Sequence, residues 1–307
     1  GLVPGVGNGD ATIPVEAGSA SATANVTVEE AFFLADNGTT VICSHAEVGD
    51  TGEVGGVTYT KRSLSQLSEL VEAEDYAQLS TTCTSDIQSL RHLFRSQDTF
   101  DEDIGSWDVS SVTDMGFLFY DAAAFDQDIS AWDMSSVIDM NGMFREAGAF
   151  NQNLGSWDVS NVTSMAQVFL SAELFNQDIG DWDVSNVTDM QYMFYDATAF
   201  DQDIRDWDVS NVTNMSRMFN VASAFNHPIG DWDVSNVTDM NRMFAQARAF
   251  NQNIGDWDVG SVVTMDRMFY AHHSFDQDLS RWDVRRIDEA PSQFGDGALE
   301  WTADQPF

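Results

Sequence analysis

Eight tryptophans, Trp107, Trp132, Trp157, Trp182, Trp207, Trp232, Trp257 and Trp282, stand 25 residues apart without a slip, and an aspartate follows each. A fixed period of 20–50 residues means stacked copies of one supersecondary unit, each burying its apolar face against its neighbours. Other columns keep the period: phenylalanines from Phe100 to Phe275 lie seven residues before each Trp, and methionines from Met115 to Met265 lie eight after. The Trp-Asp pair invites a propeller reading, but a blade of four strands needs about 40–45 residues, and 25 are enough for only one solenoid coil.

Within one coil, Met190, Met193, Phe194 and Ala197 fall at i, i+3, i+4 and i+7, which predicts a helix of two turns, with Thr188 or Asp189 as its N-cap. Ile204, Trp207 and Val209 alternate with polar residues and predict a short inward-facing strand. Stacked about 4.8 Å apart, such strands form a parallel sheet and a rod roughly 40 Å long. The Val184–Thr188 stretch reads either as a second short strand or as a turn.

The run from Phe175 to Met190, Phe-Asn-Gln-Asp-Ile-Gly-Asp-Trp-Asp-Val-Ser-Asn-Val-Thr-Asp-Met, resembles the repeat of the BspA-like leucine-rich-repeat surface proteins, a repeat also known from mycoplasma-type lipoproteins. The resemblance covers residues 87–290 and implies a secreted or surface-displayed solenoid, often adhesive, with no shared active site. The expected fold is therefore a repeat solenoid of α/β class: a right-handed, leucine-rich-repeat-like coil stack with one short parallel strand and one short helix per coil, capped at both ends.

Charge narrows the partners. Asp and Glu number 50 against 13 Lys and Arg, a net charge of −37, and nucleic acid or an anionic membrane would repel such a chain. No run of 18 apolar residues is present, so no transmembrane helix is expected. The beginning Gly1-Leu2-Val3-Pro4 lacks the charged and apolar regions of a signal peptide. A secreted or cell-surface location fits best.

Outside the repeats, residues 1–40 read as an extended or β arm, carrying alternations such as Thr23-Ala24-Asn25-Val26-Thr27-Val28. Residues 41–86 read as an N-terminal cap, with glycine turns, a strand over Val57–Thr60 and a helix near Leu64 to Leu79. Cys43 and Cys83, the only cysteines, bracket this cap. In an oxidising location a disulfide between them is expected, contributing about 4 kcal/mol by chain entropy; two Cys without a His pair fall short of a zinc site. The repeat decays at Arg285-Arg286-Ile287, so residues 291–307, with Trp301 and Phe307, form the expected C-terminal cap.

Candidate sites were set against ordinary structural roles. The aspartates after the Trp column, Asp108 through Asp283, suggest either a calcium row or acceptors for backbone N–H groups; the second is preferred, because no calcium-loop motif is present. A second acidic set around Asp126, Asp178 and Asp203 reads as a solvated face, at most a weak Ca2+ binder. Arg217, Arg242 and Arg267 form one column and are the candidate contact residues for an acidic partner, unless they pair with local carboxylates. Tyr120, Tyr195 and Tyr270 look too scattered to form a ladder. The Thr113, Thr163, Thr188, Thr213 and Thr238 array resembles ice-binding faces, yet Ile138 and Val263 interrupt it, and turn chemistry explains it better. Asn25, Asn37, Asn161, Asn186, Asn211 and Asn236 head Asn-x-Thr sequons.

No catalytic, cofactor or metal motif is found. The five histidines are unpatterned, and no nucleophile elbow, zincin motif or phosphate loop occurs. The expected function is a noncatalytic surface module for adhesion or for binding a protein or glycan. The alternative is a structural subunit of a surface layer or filament that self-assembles through its N-terminal arm, and an ice- or calcium-binding repeat face comes third.

Overall fold

The structure, a computed structural model, describes residues 9–17, 20–28, 30–287 and 290–296. The chain begins with strands β1 (Gly9–Ala17) and β2 (Ala20–Val28), paired antiparallel from Gly9↔Val28 to Ala17↔Ala20. Two short strands follow, β3 (Phe33–Leu34) and β4 (Val41–Ile42), then the hairpin β5 (Thr51–Val54) and β6 (Val57–Lys61), which turns on Gly55 and Gly56 at φ +61° and +83°.

Helix α1 (Leu64–Glu72) starts at a capping box, in which Ser63 accepts the Gln66 N–H and the Gln66 side chain accepts the Ser63 N–H. The helix expected to reach Leu79 ends earlier. Glu74 takes φ 54°, and the chain passes into a 3₁₀ turn over Tyr76–Thr81 before strand β7 (Thr82–Cys83) pairs parallel with β6. Cys43 and Cys83 are bonded, S–S 2.14 Å. Leu67, Val71 and Leu79 join the core of the repeats, so this cap covers the first coil.

From Ser89 onward the chain winds in 25-residue coils that touch through single-residue parallel bridges, from Ser89↔Asp114 to Asp239↔Thr264. Two sequence expectations need correction. The paired strand is not at Ile204–Val209; the bridge falls at the position of Asp189, just after the Thr column. And the Met-x-x-Met-Phe segment is not a helix but a chain of tandem turns.

The backbone bonds explain the second correction. Met193 donates to the Met190 carbonyl and Ala197 to that of Phe194, closing four-residue turns whose third residues, Tyr192 and Asp196, are left-handed at φ 57° and 56°. That is the position where a type II turn requires positive φ. The alternate N–H groups, of Met190, Tyr192, Phe194 and Asp196, donate to Asn214, Ser216, Met218 and Asn220 of the next coil. A left-handed residue costs about 1–2 kcal/mol, and each inter-coil bond returns about 1 kcal/mol, so four such bonds offset two strained residues. The i, i+3, i+4, i+7 spacing is satisfied either way, since these turns also put Met190, Met193, Phe194 and Ala197 inside.

One core runs from Leu67 to Phe294. Phe169 stacks on Phe175 within its coil at 3.9 Å and on Phe194 of the next at 5.7 Å, and the pattern recurs along the array. Every Trp of the column is at most 4% exposed. Each indole N–H also donates to a carbonyl 28 residues earlier, from Trp107 to Leu79 through Trp282 to Ile254, at 2.9–3.1 Å.

Phe294 packs edge-on against Phe269 at the far end. Trp301, Phe307 and most of the expected C-terminal cap lie outside the described residues.

Candidate binding face

The polar columns are mostly consumed by the stacking itself. In the Trp-Asp column, Oδ1 of Asp108, Asp133, Asp158, Asp183, Asp208, Asp233, Asp258 and Asp283 accepts the backbone N–H two residues on, at 3.0–3.3 Å. Hydrogen bonds from the Ser160, Ser185 and Ser235 hydroxyls and N–H groups hold Asp158, Asp183 and Asp233 below the usual carboxylate range. Asp283 is pulled down to about 2 by the Arg285 side chain and N–H.

The second acidic set divides: Asp178 and Asp203 accept the N–H two residues on in their own coil, whereas the column of Asp126 forms an inter-coil ladder. Oδ1 of Asp101, Asp126, Asn151, Asn176, Asp201, Asn226 and Asn251 each accepts the N–H 25 residues on, at 2.9–3.1 Å. Since only an acceptor is needed, Asp and Asn interchange freely. Among the described residues no three His, Cys, Asp or Glu side chains gather as a metal-binding group.

The Asn-x-Thr array is used in the same way. Asn161, Asn186, Asn211 and Asn236 donate Nδ2 to a serine carbonyl of the preceding coil at 2.7–2.8 Å. Thr113, Thr163, Thr188, Thr213 and Thr238 donate their hydroxyls to a carbonyl 25 residues back at 3.1–3.4 Å. A sugar on any of these four asparagines would take one of the two hydrogens of an Nδ2 already bonded to the preceding coil.

Asp108 differs from the rest of its column. It is buried, and it accepts the Ser85 hydroxyl at 2.5 Å while Ser85 accepts the Cys43 N–H. Thr84 Oγ1 donates to the Asp108 carbonyl. The first repeat aspartate therefore ties the disulfide cap to the array.

The tandem-turn side of the coils is where charge and aromaticity meet. Arg217, Arg242 and Arg267 occupy the first left-handed position of three successive coils, at φ 57°, 56° and 56°. Elsewhere Arg91 pairs with Asp114 and Asp139, Arg145 with Glu146, Arg205 with Asp203, Arg281 with Asp256 and Arg285 with Asp283, while Arg62, Arg95, Arg248 and Arg286 have no ion pair among the described residues. The ordinary expectation for the column, pairing with local carboxylates, does not hold: among the described residues no carboxylate lies within 4.0 Å of its three guanidinium groups.

Arg217 and Arg267 contact aromatic rings and an amide instead. The Arg217 guanidinium lies 4.8 Å from the Tyr192 ring centroid, Arg267 lies 6.0 Å from that of Tyr270, and Arg267 Nε donates to Gln293 at 2.5 Å. Burial lowers the Arg217 pKa, and the like charge of Arg242 lowers it further against the opposing Asp239. Tyr120 is clasped by Arg95 and Arg145 at 5.1 and 4.8 Å, and Tyr195 lies 5.6 Å from Tyr192. The tyrosines that look scattered in sequence thus belong to one arginine-aromatic stripe.

Sequence reasoning missed three residues on this side. Asn220 is 5% exposed and its Oδ1 has no partner, and Asn241, next to Arg242, and Asn141 in the same column also have an unpartnered Oδ1. Asn220 stands in a column that also holds Arg145, Leu170, Tyr195 and Ala245, so no break in a pattern marks it in the sequence.

A stack of 25-residue coils whose polar columns bond one coil to the next defines the class of protein: a repeat array. Matches to the family described as "Mycoplasma protein of unknown function, DUF285" span residues 62–172, 125–226, 152–247 and 201–300, and the chain belongs to that family. The overlapping matches follow the repeats. No curated protein and no solved structure matches the chain significantly.

Proposed function

We propose that this chain is a noncatalytic binding module of a secreted or cell-surface protein, serving adhesion or the capture of a protein or glycan. In fold class it is a right-handed solenoid of leucine-rich-repeat type, similar to the BspA-like surface proteins. The observation that carries this reading is the arginine-aromatic stripe, because three guanidinium groups in one column of successive coils, with no carboxylate partner among the described residues, keep their donors available to a ligand. The arginine recurs at one position on three successive coils, so several weak contacts add into useful avidity.

The test is adherence. Beads coated with the purified chain are offered to surfaces bearing matrix proteins and to arrays of glycans. Saturable retention that free chain competes away supports the proposal, and absence of retention on every surface contradicts it.

A second reading, assembly into a layer or filament, draws on one observation. The β1–β2 pair forms a sheet of two nine-residue strands with no third strand among the described residues, and long open edges are templates for another chain. Deleting residues 1–40 and measuring mass by light scattering separates the two readings: a full-length chain that stays monomeric at high concentration contradicts assembly through the arm.

A further inference from the structure

We infer that the stripe around Arg217 and Arg242 is a subsite for a linear anionic glycan, a sugar chain bearing carboxylate or sulfate groups; this rests on the binding-module reading above. The first ground is the pair of guanidinium groups. Arg217 and Arg242 stand one coil apart in the same backbone position, have no carboxylate partner among the described residues, and repel each other. An anionic group between them removes that repulsion and meets a planar fork of donors on either side. Tyr192 supports the Arg217 guanidinium from one face at 4.8 Å and fixes its plane.

The second ground is independent of charge. Asn220 lies in the same turn as Arg217, its N–H donating to the Arg217 carbonyl at 3.2 Å, and its side chain is 95% buried with Oδ1 unpartnered. Asn241 Oδ1, beside Arg242, is also unpartnered, as is Asn141 Oδ1 in the same column four coils earlier. A buried acceptor left unmade costs about 1–3 kcal/mol. Both oxygens beside the arginines are closed to solvent, so a ligand satisfies them only by opening the turns, and hydroxyl groups are the donors that would do so.

Spacing and field decide among polyanions. Coils joined by parallel bridges repeat every ~4.8 Å, whereas an extended peptide presents a side chain to the same face only every ~6.6 Å, so an acidic peptide falls out of register after one coil. A nucleic acid carries a charge on every unit and is repelled along the whole array of net charge −37. A pyranose chain fits better, since its units are rigid, rich in hydroxyls, and need not carry a charge on each sugar. Tyr195 and Tyr270 offer ring faces beside the arginines for the apolar side of a sugar.

The test uses the full chain in moderate salt, titrated calorimetrically with four probes: a hyaluronan oligosaccharide, with a carboxylate on every second sugar and no sulfate, a keratan sulfate oligosaccharide, with sulfate and no carboxylate, a neutral cello-oligosaccharide and poly-glutamate. Saturable binding of one or both anionic sugars, with the neutral sugar and poly-glutamate inert, is the expected result, and the two anionic arms tell carboxylate from sulfate. The variant R217Q/R242Q/R267Q should weaken that binding by at least about tenfold, while R217K/R242K/R267K, which keeps charge but loses the fork, falls between. An unchanged melting temperature verifies that the variants fold.

Binding of neither anionic sugar, undiminished binding by the glutamine variant, or stronger binding of poly-glutamate than of either sugar each overturns the inference, the last transferring the stripe to an acidic protein partner. Adherence that survives in the glutamine variant sinks this subsite and leaves the proposed module standing. Loss of adherence in the wild-type chain sinks the module itself.

Discussion

The N-terminal cap and the coil array solve the same problem with different means. In the cap, residues 32–83 have a small core of Phe32, Val41, Cys43, Ala46 and Cys83, held by one disulfide, short strands and a single nine-residue helix. In the array almost no regular secondary structure exists, yet Phe, Trp and Met columns pack one continuous core. The difference teaches that repetition can replace secondary structure. A backbone N–H needs a partner, and a neighbouring coil offering the same carbonyl at the same place is as good as the preceding turn of a helix.

If that is right, the two regions should break differently. The largest effect is expected for Trp207→Ala, which leaves a cavity in the core and removes one of the two hydrogen bonds that the Ile179 carbonyl accepts. A loss of more than about 3 kcal/mol should appear in denaturant unfolding, whereas Trp207→Phe, which keeps one ring and loses the bond and the volume of the other, should lose less. Removing the cap disulfide with Cys43→Ser and Cys83→Ser comes next. That change should cost about 4 kcal/mol by chain entropy and act on the cap first, so that limited proteolysis cuts residues 41–86 while the later coils stay intact. Simultaneous loss of cap and coils would erase the contrast between them.

His272 sharpens the comparison inside the array, for it occupies the column held by Ala122, Ala147, Ala172, Ala197, Ala222 and Ala247 in the other coils. It is fully buried, its Nδ1 accepts the Phe275 N–H at 3.2 Å, and its Nε2 has no partner. Burial pushes its pKa down from 6.5 to about 4, with His273 adding like-charge repulsion. The unfolded chain then binds a proton below about pH 6.5 that the native coil refuses, so stability falls as the pH drops from about 6.5 toward 4 and the loss is complete below that. His272→Ala should remove this part of the acid sensitivity, read as a smaller fall in melting temperature over that range; equal falls in both proteins would contradict the burial.

Smaller effects belong to the polar columns. Asp183→Ala should cost about 1 kcal/mol by leaving the Ser185 N–H without its acceptor, and Asp183→Asn, which keeps the acceptor, should cost close to nothing. Smallest of all, calcium or magnesium should raise the melting temperature slightly more than sodium at matched ionic strength, through weak binding to the acidic face. Unfolding in chelator would make the Asp columns true ligands.

The period, the inward columns and the cysteine pairing partners were legible because identity repeats every 25 residues and side-chain type reports burial directly. The turn-for-helix exchange was not. Met190, Met193, Phe194 and Ala197 point inward in either conformation, and Tyr192 and Asp196, the residues that become left-handed, are ordinary types on the surface of a helix. What decides is the carbonyl of the next coil, a contact 24 residues away that no local pattern carries.

The binding face was half legible. The column of Arg217, Arg242 and Arg267 stood out in an acidic chain, but that Asp239 and its neighbours leave it unpaired depends on side-chain reach across coils. The unpartnered Asn220 and Asn241 depend on which columns already have their bonds.

The central claim, that the coils are held by bonds between coils through left-handed turns, is tested most directly by NMR scalar couplings and chemical shifts for residues 190–197 in the full chain. Positive φ at Tyr192 and Asp196, together with amide couplings across hydrogen bonds from Tyr192 to Ser216 and from Phe194 to Met218, is the predicted result. Helical φ and shifts running unbroken from Met190 to Ala197 would contradict it.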